Sequence, residues 1–383
     1  MKLFIGADIV PTDINKTIFE EGRLDQLLGN DLLTLLMTGD LRILNLEVPL
    51  TDYETPIPKF GCNLKSPQST ITAFDGLKPL FLTLANNHCL DQGVSGLRDT
   101  IRLLKEHDIW HAGAGDSLIE ARRPFVFDQK GQRIGFYTCS EHEFSIAQEE
   151  SPGANPFDPL ESYDEVEALS NTCDYVIVLY HGGKEYYRYP SPMLQRYCRK
   201  FIEKGADLVI TQHCHCIGCR EEYQGKTIVY GQGNFIFHTE NFLPYQSYIN
   251  QSILLEVTTD NGFNVQEVPI VKTKNNSGIR LANEEQAQAI LKAYKKRSHQ
   301  IQEPGFIQEC YQHFADQYIR RYLREFLGRN PVSHLLYGLS RRKLMDWLLN
   351  QEGYLAIQNY LECQAHQELF LQGVKKKVSY TKK

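Results

Sequence analysis

The sequence contains no apolar run near the roughly 20 residues that a membrane-spanning helix needs, and no transmembrane segment is expected. It also lacks a basic excess: Lys and Arg number 41 against 47 Asp and Glu, for a net charge of −6. That balance argues against nucleic acid as the main partner, which calls for a basic footprint. No internal repeat is visible. Met1-Lys2 leads straight into LFIGADIV, which is too short and too quickly polar for a secretory signal. A cytoplasmic chain is expected, and its ten cysteines then read as reduced thiols, not as a disulfide framework. The chain does have bulk. Its 383 residues, 42% hydrophobic and 11% aromatic, suffice for one large α/β domain with an appendage.

The most informative stretch is Thr211–Cys219, TQHCHCIGC, which follows the apolar run Leu208-Val209-Ile210. Such a run, entered through Gly205-Ala206-Asp207, reads as a buried parallel strand. His213 and His215 therefore fall where a strand stops, at the carboxyl edge of a sheet, where open α/β sheets bind ligands. Neutral imidazole at that position suits zinc, manganese or iron.

Other strand-like runs end in the same way. LFIGADIV carries Asp8 near its end, LRILNL runs into Glu47, and Pro79–Ala85 runs into Asn86-Asn87-His88. DYVIVLY stops at His181-Gly182-Gly183. Leucines at spacings of three and four predict a helix over 15–38. Ser191-Pro192 predicts an N-cap and first turn, with Leu194, Cys198, Phe201 and Ile202 on one stripe and closure at Gly205. Shorter alternating runs at 227–230, 235–237, 253–257 and 265–271 read as late strands.

Five strand ends thus deliver Asp, Glu, Asn or His. Two carboxylates, an amide and three or four imidazoles are what two adjacent divalent ions need when one carboxylate bridges them. A histidine left off the metals can protonate a leaving group. Asn86 reads as a turn residue. Lys65 and Lys184 are candidates to receive an anionic substrate. Cys214, Cys216 and Cys219 interleave with the histidines as C-x-C-x2-C, so thiolate zinc is a rival reading. Extended alternation would point the thiols away from the two imidazoles, into the core.

In this order the motifs resemble the bacterial capsule synthesis proteins of the poly-γ-glutamate (CapA, PGA_cap) family, of the calcineurin-like metallophosphoesterase superfamily. They are Gly6-Ala7-Asp8, Asn45-Leu46-Glu47, Leu84–His88 with Asp91 and Gly93, Ala112–Gly115 and His181-Gly182-Gly183 with Glu185-Tyr186. Pro190–Pro192, Gly205–Asp207, His213–His215 and Gly233-Asn234-Phe235 complete the set, which runs from about residue 2 to 240. The resemblance implies a four-layer α/β sandwich, two β-sheets flanked by helices, and two divalent ions of manganese, iron or zinc. By that resemblance Asp8 and His215 hold one ion, Asn87, His181 and His213 hold the other, and Glu47 bridges. His88 is then the general acid, oriented by Asp91. Two positions depart from the wider phosphoesterase pattern. Val10 stands where a histidine is usual and Glu47 where an aspartate is usual, which leaves the Asp8 ion a poorer shell.

A composition shift near Lys272–Gly278 divides the chain into an expected domain over 1–275 and an α-helical region over 276–383. The latter carries aromatic and leucine stripes (Tyr318, Tyr322, Phe326; Leu335, Leu336, Leu339), turns at Gly305, Gly328–Pro331 and Gly353, and a lysine-rich tail, Lys375–Lys377 and Lys382-Lys383. The function implied is a metal-dependent hydrolase of phosphoesterase type, acting on an anionic small-molecule or polymer substrate in capsule or exopolysaccharide synthesis. Two alternatives stand beside it: a non-catalytic member of a polymer-assembly complex with capsule-synthesis partners, and a γ-glutamyl amide hydrolase.

Overall fold

The protein is described here from a computed structural model, which covers residues 1–238, 249–273, 277–326, 335, 338–339 and 348–380. The turn expected at 328–331, Leu336 and Lys382-Lys383 lie outside the described residues. The strands in chain order are β1 (Lys2–Val10), β2 (Leu41–Leu46), β3 (Leu80–Thr83), β4 (Trp110–Ala112), β5 (Ala114–Gly115), β6 (Phe125–Gln129), β7 (Gln132–Ser140) and β8 (Gly153–Ala154). They continue with β9 (Tyr175–His181), β10 (Leu208–Gln212), β11 (Ile217–Tyr223), β12 (Lys226–Gln232), β13 (Ile236–Phe237), β14 (Gln251–Thr258), β15 (Asn264–Lys272) and β16 (Ile279–Leu281).

Two large sheets result. The first has the order β16-β15-β14-β1-β2-β3-β4, parallel from β1 to β4 and antiparallel from β14 to β16, with β13 alongside the end of β1. The second has the order β11-β12-β10-β9-β7-β6, parallel except at its two edges. Alternation along the strands builds the layers. Leu3, Ile5, Leu41, Ile43 and Phe81 of the first sheet pack against Ile134, Phe136, Ile177, Leu179, Leu208 and Ile210 of the second. The intervening residues face helices: Phe4, Leu44 and Leu82 meet Leu32, Leu36, Phe74 and Leu104. On the opposite side Tyr137, Val178 and Val209 meet Val166, Leu194, Cys198 and Phe201. This is the expected four-layer sandwich.

The helix expected over 15–38 is three: Lys16–Glu20, Leu24–Leu28 and Asn30–Met37. Gly22 and Gly29 take φ of 63° and 68°, a left-handed backbone that ends a helix at low steric cost. The leucine spacing runs on across both breaks, which is why periodicity alone joined them. The helix Pro192–Glu203 forms as its cap predicts, with Ser191 Oγ accepting from Leu194 N at 3.0 Å. Strands β4, β6 and β11 had no clear sequence signal. Each is a sheet edge, and an edge does not need a continuous apolar run.

The first compact unit extends to Gln308. Beyond residue 275 it includes β16 and the helix Glu284–Gln300, whose Ile290 and Tyr294 lie in the inter-sheet core. The second unit, Glu309–Lys383, is mainly helical where described. Tyr322, Phe326, Leu335 and Leu339 of its stripes are exposed.

Candidate metal centre

The parallel strands of both sheets end at one place. β1 would carry Asp8 past it in regular register, but the pairing with β2 shifts between Ile5 and Asp8. That irregularity re-aims the side chain, as bulges do. Gly6 lies in the shifted segment, where a Cβ would fall 2.6 Å from Leu44 Cδ2 and 2.8 Å from Phe235 Cδ2. Glu47 follows the last residue of β2, and its alternation partner Asn45 points the same way. After β3, Asn86 donates to Leu46 O (2.8 Å) and Asn45 Oδ1 (3.0 Å) and accepts from His88 N (3.1 Å). It thereby ties the Asn87-His88 turn to the end of β2. His181 is the last residue of β9.

β10 stops at Gln212, and His213 and His215 lie beyond it with φ of 86° and 54°. Strand alternation therefore does not orient them. Left-handed backbone at two non-glycine residues costs on the order of 1–3 kcal/mol each and persists only where its surroundings impose it. The two sheets are fastened at this point by Gln212 Nε2 donating to Gly6 O (3.2 Å) and Gln232 Nε2 to Ile5 O (2.8 Å).

Two groups of ligand atoms emerge, Glu47–His181–His213 and Asp8–Glu47–His215, with the atoms of each group within 4.8 Å of one another and every residue buried. Asn87 joins the first. His181 Nε2 has Asn87 Oδ1 at 3.0 Å, His213 Nδ1 at 3.1 Å and Glu47 Oε1 at 3.3 Å. One ring nitrogen can give a proton to only one of those three atoms. Glu47 belongs to both groups. Neither of its carboxylate oxygens makes a hydrogen bond, although the residue is fully buried. A buried carboxylate without donors is costly unless a cation meets it. The residues thus fit a pair of cations sharing Glu47.

The proton balance agrees with this reading. Burial, then the charge of Asp8, pushes Glu47 up to about 7. Burial pulls His181 down to about 4 and lowers His213, with His181 adding to the latter effect. His215 goes the other way: burial opposes its charge, but the bond to Asp8 and the nearby Glu47 raise it to about 10. Burial likewise opposes the Asp8 carboxylate, and His215, with His181, still holds it below its usual range. His215 Nδ1 lies 2.9 Å from Asn234 Oδ1 and 3.5 Å from Asp8 Oδ2. Asp8 Oδ1 accepts from Asn45 Nδ2 at 2.7 Å, and the same amide nitrogen is 3.1 Å from His181 Nδ1.

Beside the ligands, His88 Nδ1 meets Asp91 Oδ2 at 2.5 Å, and Lys59 is ion-paired with the other oxygen of that carboxylate. A shallow surface depression lies against the first group, lined by Asn87, Glu141, Glu143, His181 and His213 among others. Glu143 Oε2 accepts from Asn87 Nδ2 at 3.0 Å, which turns the amide oxygen toward His181.

Of the expected anion-receiving lysines, Lys65 is ion-paired with Glu54 at the surface and Lys184 follows the His181-Gly182-Gly183 turn. Val10, where a further ligand would complete the Asp8 group, is buried in an apolar cluster. The potential metal groups among the described residues contain no cysteine, and Cys216 and Cys219 are fully buried. Sequence reading missed Asn45, which its period-two spacing from Glu47 could have disclosed, and Glu143 and Lys59, which lie on loops and carried no signal.

The most similar known proteins include the capsule biosynthesis protein CapA of Bacillus anthracis, 29% identical over 181 residues, covering 46% of this chain and 44% of that one. The PGA biosynthesis protein CapA of Bacillus subtilis (strain 168) is 28% identical over 179 residues, covering 46% of this chain and 47% of its own. The chain therefore spans about half the length of these relatives. A solved structure of a novel phosphatase from Mycoplasma pneumoniae superposes with a TM-score of 0.42 at 14% identity, covering 71% of this chain and 93% of that one. A family model described as bacterial capsule synthesis protein PGA_cap matches residues 2–239, well over half the chain, and the chain belongs to that family.

Proposed function

We propose that the chain is a metal-dependent hydrolase of phosphoesterase type, acting in the synthesis or processing of a cell-surface polymer such as poly-γ-glutamate or an exopolysaccharide. The observation that carries the chemistry is Glu47, a fully buried carboxylate with both oxygens free of hydrogen bonds, common to two ligand groups. Family membership and the names of the Bacillus relatives support the polymer context. Asn87, Glu47, His181 and His213 would hold one ion and Asp8, Glu47 and His215 the other. This nitrogen and oxygen set suits manganese, iron or zinc. When bound, the ions supply Lewis acidity and acidify water at neutral pH.

The remaining work falls to the chain. Asn87, His181 and His213 line the surface depression, and the reacting group would approach on their side. His88 holds its Nδ1 proton on Asp91 and presents Nε2 to protonate the departing oxygen. Lys184 and Lys65 receive the anionic remainder of the substrate. Capsule or exopolysaccharide synthesis proteins are the partners in this reading, with a cytoplasmic location.

A second reading, a non-catalytic assembly component, is favoured by Val10, whose apolar burial leaves the Asp8 group one ligand short of the phosphoesterase pattern. Metal content per chain, with turnover of a phosphodiester, a phosphomonoester and a γ-glutamyl peptide, separates the readings. Bound metal with phosphoester turnover is expected, and His213→Ala should lose turnover and the ion of the first group. Turnover of the peptide alone would make it an amide hydrolase. No metal after reconstitution would leave the assembly component.

A further inference from the structure

We propose that Lys59 is a positioning residue for His88, acting through Asp91. The role rests on the phosphoesterase reading only for the proton that His88 then delivers. Lys59 sits in the loop between β2 and the turn Gln68–Ile71, a stretch with no regular structure, yet its side chain is only 3% exposed. It is ion-paired with Asp91 Oδ1, on a carboxylate that is itself completely buried. Asp91 Oδ2 accepts from Leu64 N at 2.5 Å and lies 2.5 Å from His88 Nδ1. Lys59 Nζ is itself 3.2 Å from that nitrogen.

An ammonium has only donors, so Lys59 cannot accept the imidazole proton. The Nδ1 proton therefore goes to Asp91, and Nε2 is the working end. With both oxygens held, the carboxylate cannot rotate, and the ring plane is fixed through it. A lysine stem buried against a single carboxylate is an expensive way to fill space, since an apolar side chain would avoid the desolvation.

The loop does not depend on Lys59 for its path. Thr55 N and Oγ1 donate to Gln92 Oε1 (2.9 Å) and Gln92 O (2.7 Å). Ile57 N donates to Asp91 O (3.1 Å), Asn63 Nδ2 to Ile57 O (3.0 Å) and Gln92 Nε2 to Leu64 O (3.2 Å). Removing the ammonium should leave those bonds in place. The effect sought is then on His88, not on the fold.

The test uses the metal-reconstituted full chain as wild type, Lys59→Met and Lys59→Arg, with two phosphodiesters that differ only in expelling p-nitrophenol or phenol. p-Nitrophenolate leaves without a proton and phenolate benefits from one. Lys59→Met is expected to lower kcat on the phenol ester by about tenfold or more, as loss of a placed general acid does. KM and the p-nitrophenol ester should barely move; the melting temperature falls, because Asp91 is left a buried carboxylate without its cation. Lys59→Arg keeps the charge and should retain the phenol-ester rate.

Equal losses on both esters, no loss on either, or Lys59→Arg as impaired as Lys59→Met would overturn the proposal. A second readout needs no turnover: the Nδ1–H proton resonance of His88, identified by its disappearance in His88→Gln. It should be present in the wild type and lost to exchange in Lys59→Met; its persistence there overturns the proposal as well. A wild type inactive on both esters, but with a resonance that depends on Lys59, sinks the hydrolase reading and leaves the positioning role standing.

Discussion

The two halves of the candidate metal centre use the same kinds of side chain and favour opposite proton states. In the Glu47–His181–His213 half, burial dominates and both imidazoles are kept neutral. In the Asp8–Glu47–His215 half, a second carboxylate faces the imidazole, and His215 is held charged despite equal burial. One half is ready for a cation. In the other, Asp8 favours the charged imidazole of His215, and Val10 adds nothing polar to it. The lesson concerns contact more than burial: Asp8 bonded to His215 reverses the sign of that shift, whereas the charge of the same Asp8 acting on His181 does not.

The strongest way to break the comparison is to remove the group both halves share. Glu47→Gln should lower affinity for both ions by at least about 100-fold, above the range usual for removing a mere supporting group. It should also remove a buried carboxylate whose oxygens have no hydrogen bond, so the metal-free protein melts no lower than wild type while stabilisation by added metal disappears. Metal-dependent melting curves check both parts, and a metal-free variant that melts well below wild type would count against an orphaned Glu47.

Single-half substitutions come next. His213→Ala should empty the first half and His215→Ala only the second, so elemental analysis should find about one equivalent remaining in His215→Ala at neutral pH. Loss of both ions in each variant would mean that the halves bind as one unit. A gentler probe is Asn234→Ala, which removes the Oδ1 acceptor 2.9 Å from His215 Nδ1. Supporting groups of this kind change affinity by about 10- to 100-fold, and the loss should be confined to the second ion.

Much of this centre is legible because parallel strands are buried on both faces. Each reads as a largely apolar run, and the polar residues that close it mark the sheet's carboxyl edge. Asp8, Glu47, His181 and the pair at 213 and 215 all stand out in that way. What the chain does not disclose is how the edges meet. The register shift before Asp8 depends on β2, and the left-handed backbone at His213 and His215 depends on contacts from both sheets. Lys59 and Lys65 occupy the same loop and look alike as letters, yet one is buried against Asp91 and the other pairs with Glu54 at the surface. Only tertiary packing separates them. Glycines 22 and 29 were readable, but leucine periodicity outweighed them.

The finest test separates the halves by pH. A cation binds deprotonated ligands, so below a ligand's pKa the ion must displace a proton and affinity falls as pH falls. In the first half His181, at about 4, is already neutral above pH 5 or so, and Glu47, at about 7, is the remaining proton to displace. Its affinity should rise by at most about tenfold per pH unit up to neutrality and then level. The second half must also release the proton on His215, held to about 10, so its affinity should keep climbing through the alkaline range. Calorimetric metal titrations in two buffers of different ionisation enthalpy count the protons released by each ion. Near pH 8, the first ion should release almost none and the second close to one. Release from the first ion alone, or equal release from both, would mean that the proton shared by Asp8 and His215 does not distinguish the halves, and that Val10 accounts for whatever asymmetry the metal content shows.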